Sequence, residues 1–133
     1  MSFMKRLFYL FLMLVLATSC LTDDDFYVKR TDRVAITTFS MPDTSSLADT
    51  IQIRATATAN NGCWKELFFV YSEKADTLHA IAAYGTFEST GSCPQNTVRK
   101  DTVIDFKPPR AGDYYFYIVR DPFTAEYDTL VVE

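Results

Sequence analysis

Thr50-Ile51-Gln52-Ile53-Arg54-Ala55-Thr56-Ala57-Thr58-Ala59 alternates without a break. Ile51, Ile53, Ala55, Ala57 and Ala59 fall on one side; Gln52, Arg54, Thr56 and Thr58 fall on the other. A period of two is what a strand presents, because successive side chains point to opposite faces of a sheet. The segment is therefore predicted as a half-buried β-strand. Asn60-Asn61-Gly62 turns the chain, and Trp64 to Glu73, with Phe68, Phe69, Val70 and Tyr71, reads as the next strand. Lys74-Ala75-Asp76 makes a hairpin connection into Leu78 to Glu88, and the Ser/Gly/Pro-rich stretch from Ser89 to Asn96 reads as a longer loop. Val34 to Ser40 precedes this group; Thr97 to Phe106, Asp113 to Arg120 and Tyr127 to Val132 follow it. Every proline, at Pro42, Pro94, Pro108-Pro109 and Pro122, falls in a connection. About seven short strands separated by turns, with no helical pattern after the N-terminal segment, predict an all-β fold: a single antiparallel β-sandwich domain over residues 34–133.

The segment Pro109-Arg110-Ala111-Gly112-Asp113-Tyr114-Tyr115-Phe116 resembles the approach to strand F of immunoglobulin-like folds, where a tyrosine after a Gly/Asp turn hydrogen-bonds back across the corner. The resemblance implies an immunoglobulin-like sandwich with Tyr114 as its corner tyrosine. With strands alternating in direction, the loops containing Cys63 and Cys93 lie at one end. The loops at 41–49, 74–77 and 107–112 lie at the other.

The N-terminus is of another kind. Lys5-Arg6 precedes the apolar run Leu7 to Ala17, which leads through Thr18-Ser19 to Cys20 and then Leu21-Thr22-Asp23-Asp24-Asp25. Eleven helical residues rise only about 16 Å, too little for a hydrocarbon core of about 30 Å. A charged start, a short apolar run and small residues before a cut site are the layout of a secretory signal. This stretch resembles a bacterial lipoprotein signal peptide with its lipobox, which implies a signal helix over residues 1–19, cleavage before Cys20 and lipidation of its thiol. Several acyl chains anchor stably where one binds only marginally. Asp23, Asp24 and Asp25 resemble the acidic export signal that some Gram-negative lineages use to display lipoproteins on the outer membrane surface; the alternative is a hydrated linker. Residues 20–33 are expected to be a lipidated tether whose segment Leu21 to Arg33 spans up to about 45 Å at roughly 3.4 Å per residue.

Of the 13 Lys and Arg in the 133-residue chain, Lys5 and Arg6 leave with the signal, so 11 face 17 acidic residues and the net formal charge becomes −6. Nucleic acid is excluded as a partner, since affinity for phosphate comes from clustered cations and the longest basic run after the tether is Arg99-Lys100. Lipidation of Cys20 leaves Cys63 and Cys93, and an even number in an exported chain points to a disulfide. Two separately buried thiols or a metal pair are the alternatives. With His79 the sole histidine, a four-ligand zinc site would have to recruit carboxylates.

Catalysis finds little support in the residues. A hydrolase triad needs a base beside its nucleophile, and His79 sits in the alternating run Leu78-His79-Ala80-Ile81 as an ordinary strand residue. The acidic residues are scattered and the four glycines isolated, so neither a glycosidase pair nor a phosphate loop is expected, and no cofactor. What remains is aromatic surface. In Tyr114-Tyr115-Phe116-Tyr117 alternate rings face opposite ways, so Tyr115 and Tyr117 are candidate ligand contacts, able to stack on sugars or to build a protein interface; plain amphipathic surface is the alternative. Trp64, beside Cys63, is expected to pack on the disulfide, with ligand contact second. The expected function is a non-catalytic envelope module, anchored to the outer membrane, that docks on another envelope protein. Surface glycan binding is the alternative. A contiguous aromatic platform would favour the glycan; a flat apolar patch or an open strand edge would favour the protein.

Overall fold

The computed structural model describes residues 26–133, so the expected signal helix, Cys20, and Asp23 to Asp25 lie outside the described residues. Within them there is no helix. Eight strands follow one another: β1 (Val28–Ser40), β2 (Thr44–Ser45), β3 (Ile51–Ala59), β4 (Trp64–Ala75), β5 (Leu78–Ser89), β6 (Val98–Phe106), β7 (Gly112–Val119) and β8 (Ala125–Val132).

They form one curled sheet, ordered β2-β8-β7-β5-β1-β3-β6, with β4 on the free flank of β5. The curl is made by β1. Its first half, Val28 to Val34, pairs antiparallel with Ser89 to Ala83 of β5, and its second half, Ala35 to Ser40, pairs with Thr58 to Arg54 of β3. Once β1 leaves β5, the vacated flank is taken by β7, whose Tyr115 to Ile118 run parallel to Leu78 to Ile81. The Ile36 N–H donates to the Arg120 carbonyl at 2.9 Å where the two strands meet, so the switch leaves no gap in the backbone bonding.

Three expectations are corrected here. β1 begins at Val28, so residues 28–33, expected as part of the tether, belong to a strand. Pairing is not wholly antiparallel, because β5–β7 and β2–β8 are parallel. The first parallel pair arises because β6 joins β3 on the other arm, making β5 and β7, which run the same way, into neighbours. Finally, β2, which pairs Thr44-Ser45 with Val131-Val132, makes eight strands.

The inner faces of the two arms meet in one core. β3 contributes Ile51, Ile53, Ala55, Ala57 and Ala59, the face its alternation predicted; β5 contributes Ile81 and Ala83, β7 Tyr114, Phe116 and Ile118, and β8 Leu130 and Val132. Packing is tight at Gly85: a Cβ there would lie 2.5 Å from a methyl of Leu67 and 3.0 Å from the Trp64 ring. Tyr114 is fully buried. Its hydroxyl donates to the Arg110 carbonyl at 2.9 Å and accepts from the Arg110 N–H at 3.3 Å, as the corner reading implied. Gly112, with φ of 137°, supplies the conformation that lets the chain turn into β7.

Cys63 and Cys93 form a disulfide with Cα atoms 5.2 Å apart. It joins the β3–β4 and β5–β6 connections where the edge strands β4 and β6 approach each other, and its 30-residue separation corresponds to about 3–4 kcal/mol by chain entropy. Val28 lies opposite Ser89, so the chain enters the domain at the disulfide end. The loops at 41–49, 74–77 and 107–112 gather at the far end: Tyr115 N–H donates to the Thr77 carbonyl at 2.8 Å, Leu47 N–H to the Glu133 carbonyl at 3.0 Å, and Arg110 lies 3.7 Å from Asp76.

Candidate functional site

β5 is apolar on both faces. His79, Ile81, Ala83 and Gly85 point into the core, and Leu78, Ala80, Ala82 and Tyr84 point the other way, where no layer among the described residues covers them. The small side chains of Ala80 and Ala82 leave a groove of about 410 Å³ along the strand, within the ~300–1,000 Å³ of small-ligand sites. Tyr117 and Tyr127 wall one side, their centroids 5.0 Å apart and planes tilted by 58°. Tyr84 closes one end, stacked on Phe68 at 5.8 Å. This arrangement follows from register: Tyr117 lies opposite Tyr127, Phe68 opposite Tyr84 and Val70 opposite Ala82. Tyr127 is 67% exposed.

Arg33 and Lys74 are the charged side chains lining the groove, and no carboxylate lines it. Arg33 stands opposite Tyr84 at one end, and Lys74 lies near Leu78 at the other. Neither forms an ion pair among the described residues. Some cations elsewhere are paired, among them Lys29 with Glu88 at 2.7 Å and Arg120 with Glu126 at 2.7 Å.

The free edge of β4 is a poorer template for another strand. Its register is broken between Lys65 and Phe68 and again between Glu73 and Ala75, and Glu66 takes a positive φ of 47° in the first irregularity. Bulges and charged side chains at both ends of an edge strand discourage further pairing.

On the inner side of β5, His79 is buried in an aromatic box. Its ring stacks near Tyr71 and Phe116 and meets Phe106 edge-on at 4.9 Å. Nδ1 is 2.8 Å from the Tyr71 hydroxyl, and Nε2 has no hydrogen-bond partner. We assign the neutral tautomer in which the Tyr71 hydroxyl donates to Nδ1 and Nε2 carries the hydrogen, since an N–H tolerates aromatic surroundings better than a bare lone pair does. Burial lowers the pKa of His79, with the Glu73 charge opposing it, and burial raises the Tyr71 hydroxyl to about 12, with Glu73 adding to the shift. A neutral, enclosed imidazole bonded to a phenol is a packing element.

The candidate contacts separate. Tyr117 lines the groove, and Tyr115 lies on the same outer face but beyond the groove lining. Trp64 is half-buried against the core, meets Phe87 edge-on at 5.4 Å and lines a second groove beside Arg30 and Arg33. Tyr127, Tyr84, Phe68, Arg33 and Lys74 are not among the candidates the sequence singles out. The signal it holds for them is the second apolar parity of Leu78, Ala80, Ala82 and Tyr84, while Arg33 falls in the segment expected as tether. No group of three metal-ligating side chains occurs among the described residues. Comparison with known proteins finds no matching family model, no matching curated protein and no matching solved structure.

Proposed function

We propose that this protein is a non-catalytic binding module of the cell envelope, held at the outer membrane by lipid on Cys20, and that the outer face of β4, β5, β7 and β8 takes a glycan. The observation that carries the reading is the groove: concave, floored by alanines, and walled by the exposed Tyr127 and the half-buried Tyr117. The faces of a sugar ring present C–H groups that sit well on the negative face of an aromatic ring, while its hydroxyls radiate toward water. The anchor rests on Lys5-Arg6, the apolar run and Cys20, with surface display resting on Asp23 to Asp25. Entry of the chain at the disulfide end leaves the loops at 41–49, 74–77 and 107–112 farthest from the membrane. The fold is read as a relative of immunoglobulin-like sandwiches, a reading supported by the Tyr114 corner.

A second reading, docking on an envelope protein, is favoured by the apolar breadth of the same face, where Phe68, Val70, Tyr115 and Val131 are each more than a third exposed. A glycan array probed with the full-length protein in detergent separates the two. Saturable sugar binding lost in Tyr127→Ala supports the first. Absence of sugar binding, together with a cross-linked envelope partner released by the same substitution, supports the second. Cys20→Ala is expected to free the protein from membranes, and undiminished membrane association would remove the anchor from the proposal.

A further inference from the structure

We propose that the groove selects an acidic oligosaccharide, a sugar chain carrying carboxylates, and seats it along β5 between Arg33 and Lys74. This rests on the glycan reading of the same face and adds its charge class. Tyr84 and Leu78 are six residues apart on β5, so the two cations flank a run of about 20 Å at roughly 3.3 Å per residue. That length accommodates several sugar rings. Both cations lack ion-pair partners among the described residues, no carboxylate lines the groove, and the chain as a whole is acidic, with a net charge of −4. Two cations in a groove lined by no carboxylate, on a chain that is acidic as a whole, draw an anion to that groove.

An acidic peptide fits less well. Laid along Ala80 and Ala82 it would bury backbone N–H and C=O groups against methyl groups, where they find no partners, and the β4 edge that could pair with it is broken by two irregularities. A second copy of the chain would bring the same two cations against themselves in a twofold contact centred on the groove.

Isothermal titration of the full-length protein in detergent, with a galacturonic acid oligomer, a neutral malto-oligosaccharide of equal length and poly-glutamate, tests this. The galacturonate is expected to bind at least about tenfold more tightly than the neutral sugar, to weaken with added salt, and to lose roughly fivefold to tenfold in affinity in Arg33→Gln or Lys74→Gln. Tyr127→Ser should abolish binding while leaving the unfolding midpoint in place. Equal binding of the neutral sugar overturns the charge selectivity and leaves the glycan reading standing. Binding of neither sugar overturns both. Binding of poly-glutamate as tight as that of the galacturonate, unaffected by Tyr127→Ser, shows diffuse electrostatics and also overturns the proposal.

Discussion

β3 and β5 are the central strands of their respective arms, yet they are written differently. β3 sets buried isoleucines and alanines against Gln52 and Arg54, which stand in water. β5 sets Ile81 and Ala83 against Leu78, Ala80, Ala82 and Tyr84, so both sides of the strand are apolar. A strand covered on one side needs only the first pattern. The second pattern is expected of a strand covered on both, and among the described residues β5 is covered on one side only. The contrast is the reason the proposed site is put on the outside of β5, and it can be broken by substitutions that treat the two faces of one strand alike.

The largest effects belong to the inner faces. Ile53 and Ile81 are both fully buried, and Ile53→Ala and Ile81→Ala should each cost about 2–5 kcal/mol in urea unfolding, the transfer loss plus a cavity. A cost below about 1 kcal/mol at Ile81 alone would mean that the β5 side of the core is loose, and the comparison with β3 would fail. Gly85→Ala follows in size. A methyl group 2.5 Å from Leu67 and 3.0 Å from the indole of Trp64 must displace one of them, for an expected loss of about 1–3 kcal/mol. An unchanged midpoint would show that Leu67 simply turns aside.

His79 sharpens the same comparison by pH. Its folded pKa lies below the ordinary 6.5 because burial disfavours the imidazolium. The unfolded chain then binds the proton more readily, so stability rises with pH in this range. The contribution of His79 is fully present above about pH 6.5, its unfolded value, and is lost as pH falls from there toward the folded pKa. His79→Phe, which keeps an aromatic ring in the box, should flatten that acid-side slope between pH 7 and 5 in a series of urea curves. An unaltered slope would overturn the assignment to His79; carboxylates such as Asp121, which the Thr124 side chain and the backbone N–H groups of Phe123 and Thr124 hold below the usual range, act only at lower pH, below about 4.

How much of this could be read in advance depended on whether the cause was local. Thr50 to Ala59 carried its own period and was legible, as were the turn into Tyr114 and the pairing of Cys63 with Cys93. Val28 to Arg33 was not. Its charged residues show no apolar alternation, and what holds it as a strand is the backbone of β5 together with contacts such as Lys29 to Glu88 at 2.7 Å. Thr44-Ser45 is a strand only because the chain's last residues lie beside it. The parallel β5–β7 contact depends on β1 leaving for the other arm, a tertiary event with no sequence mark. The groove is intermediate: its floor was visible as alanines of one parity, but its walls come from β7 and β8, which local periodicity does not place beside β5.

The smallest effect on folding is the most telling for function. Tyr127 is 67% exposed and touches Tyr117 across a non-core face, so Tyr127→Ser should shift stability by no more than about 0.5 kcal/mol. Gln52→Ser, on the solvent face of β3, should do the same. If β5 differs from β3 only by chance, the two substitutions will also be equivalent in every binding assay. If the outer face of β5 is a site, Tyr127→Ser will remove ligand binding from a protein that unfolds at the same urea concentration, whereas Gln52→Ser will leave it intact. Stability is thus the control and binding the readout. A Tyr127→Ser protein destabilised by about 2 kcal/mol or more would point elsewhere, to a ring needed for packing in the unliganded fold.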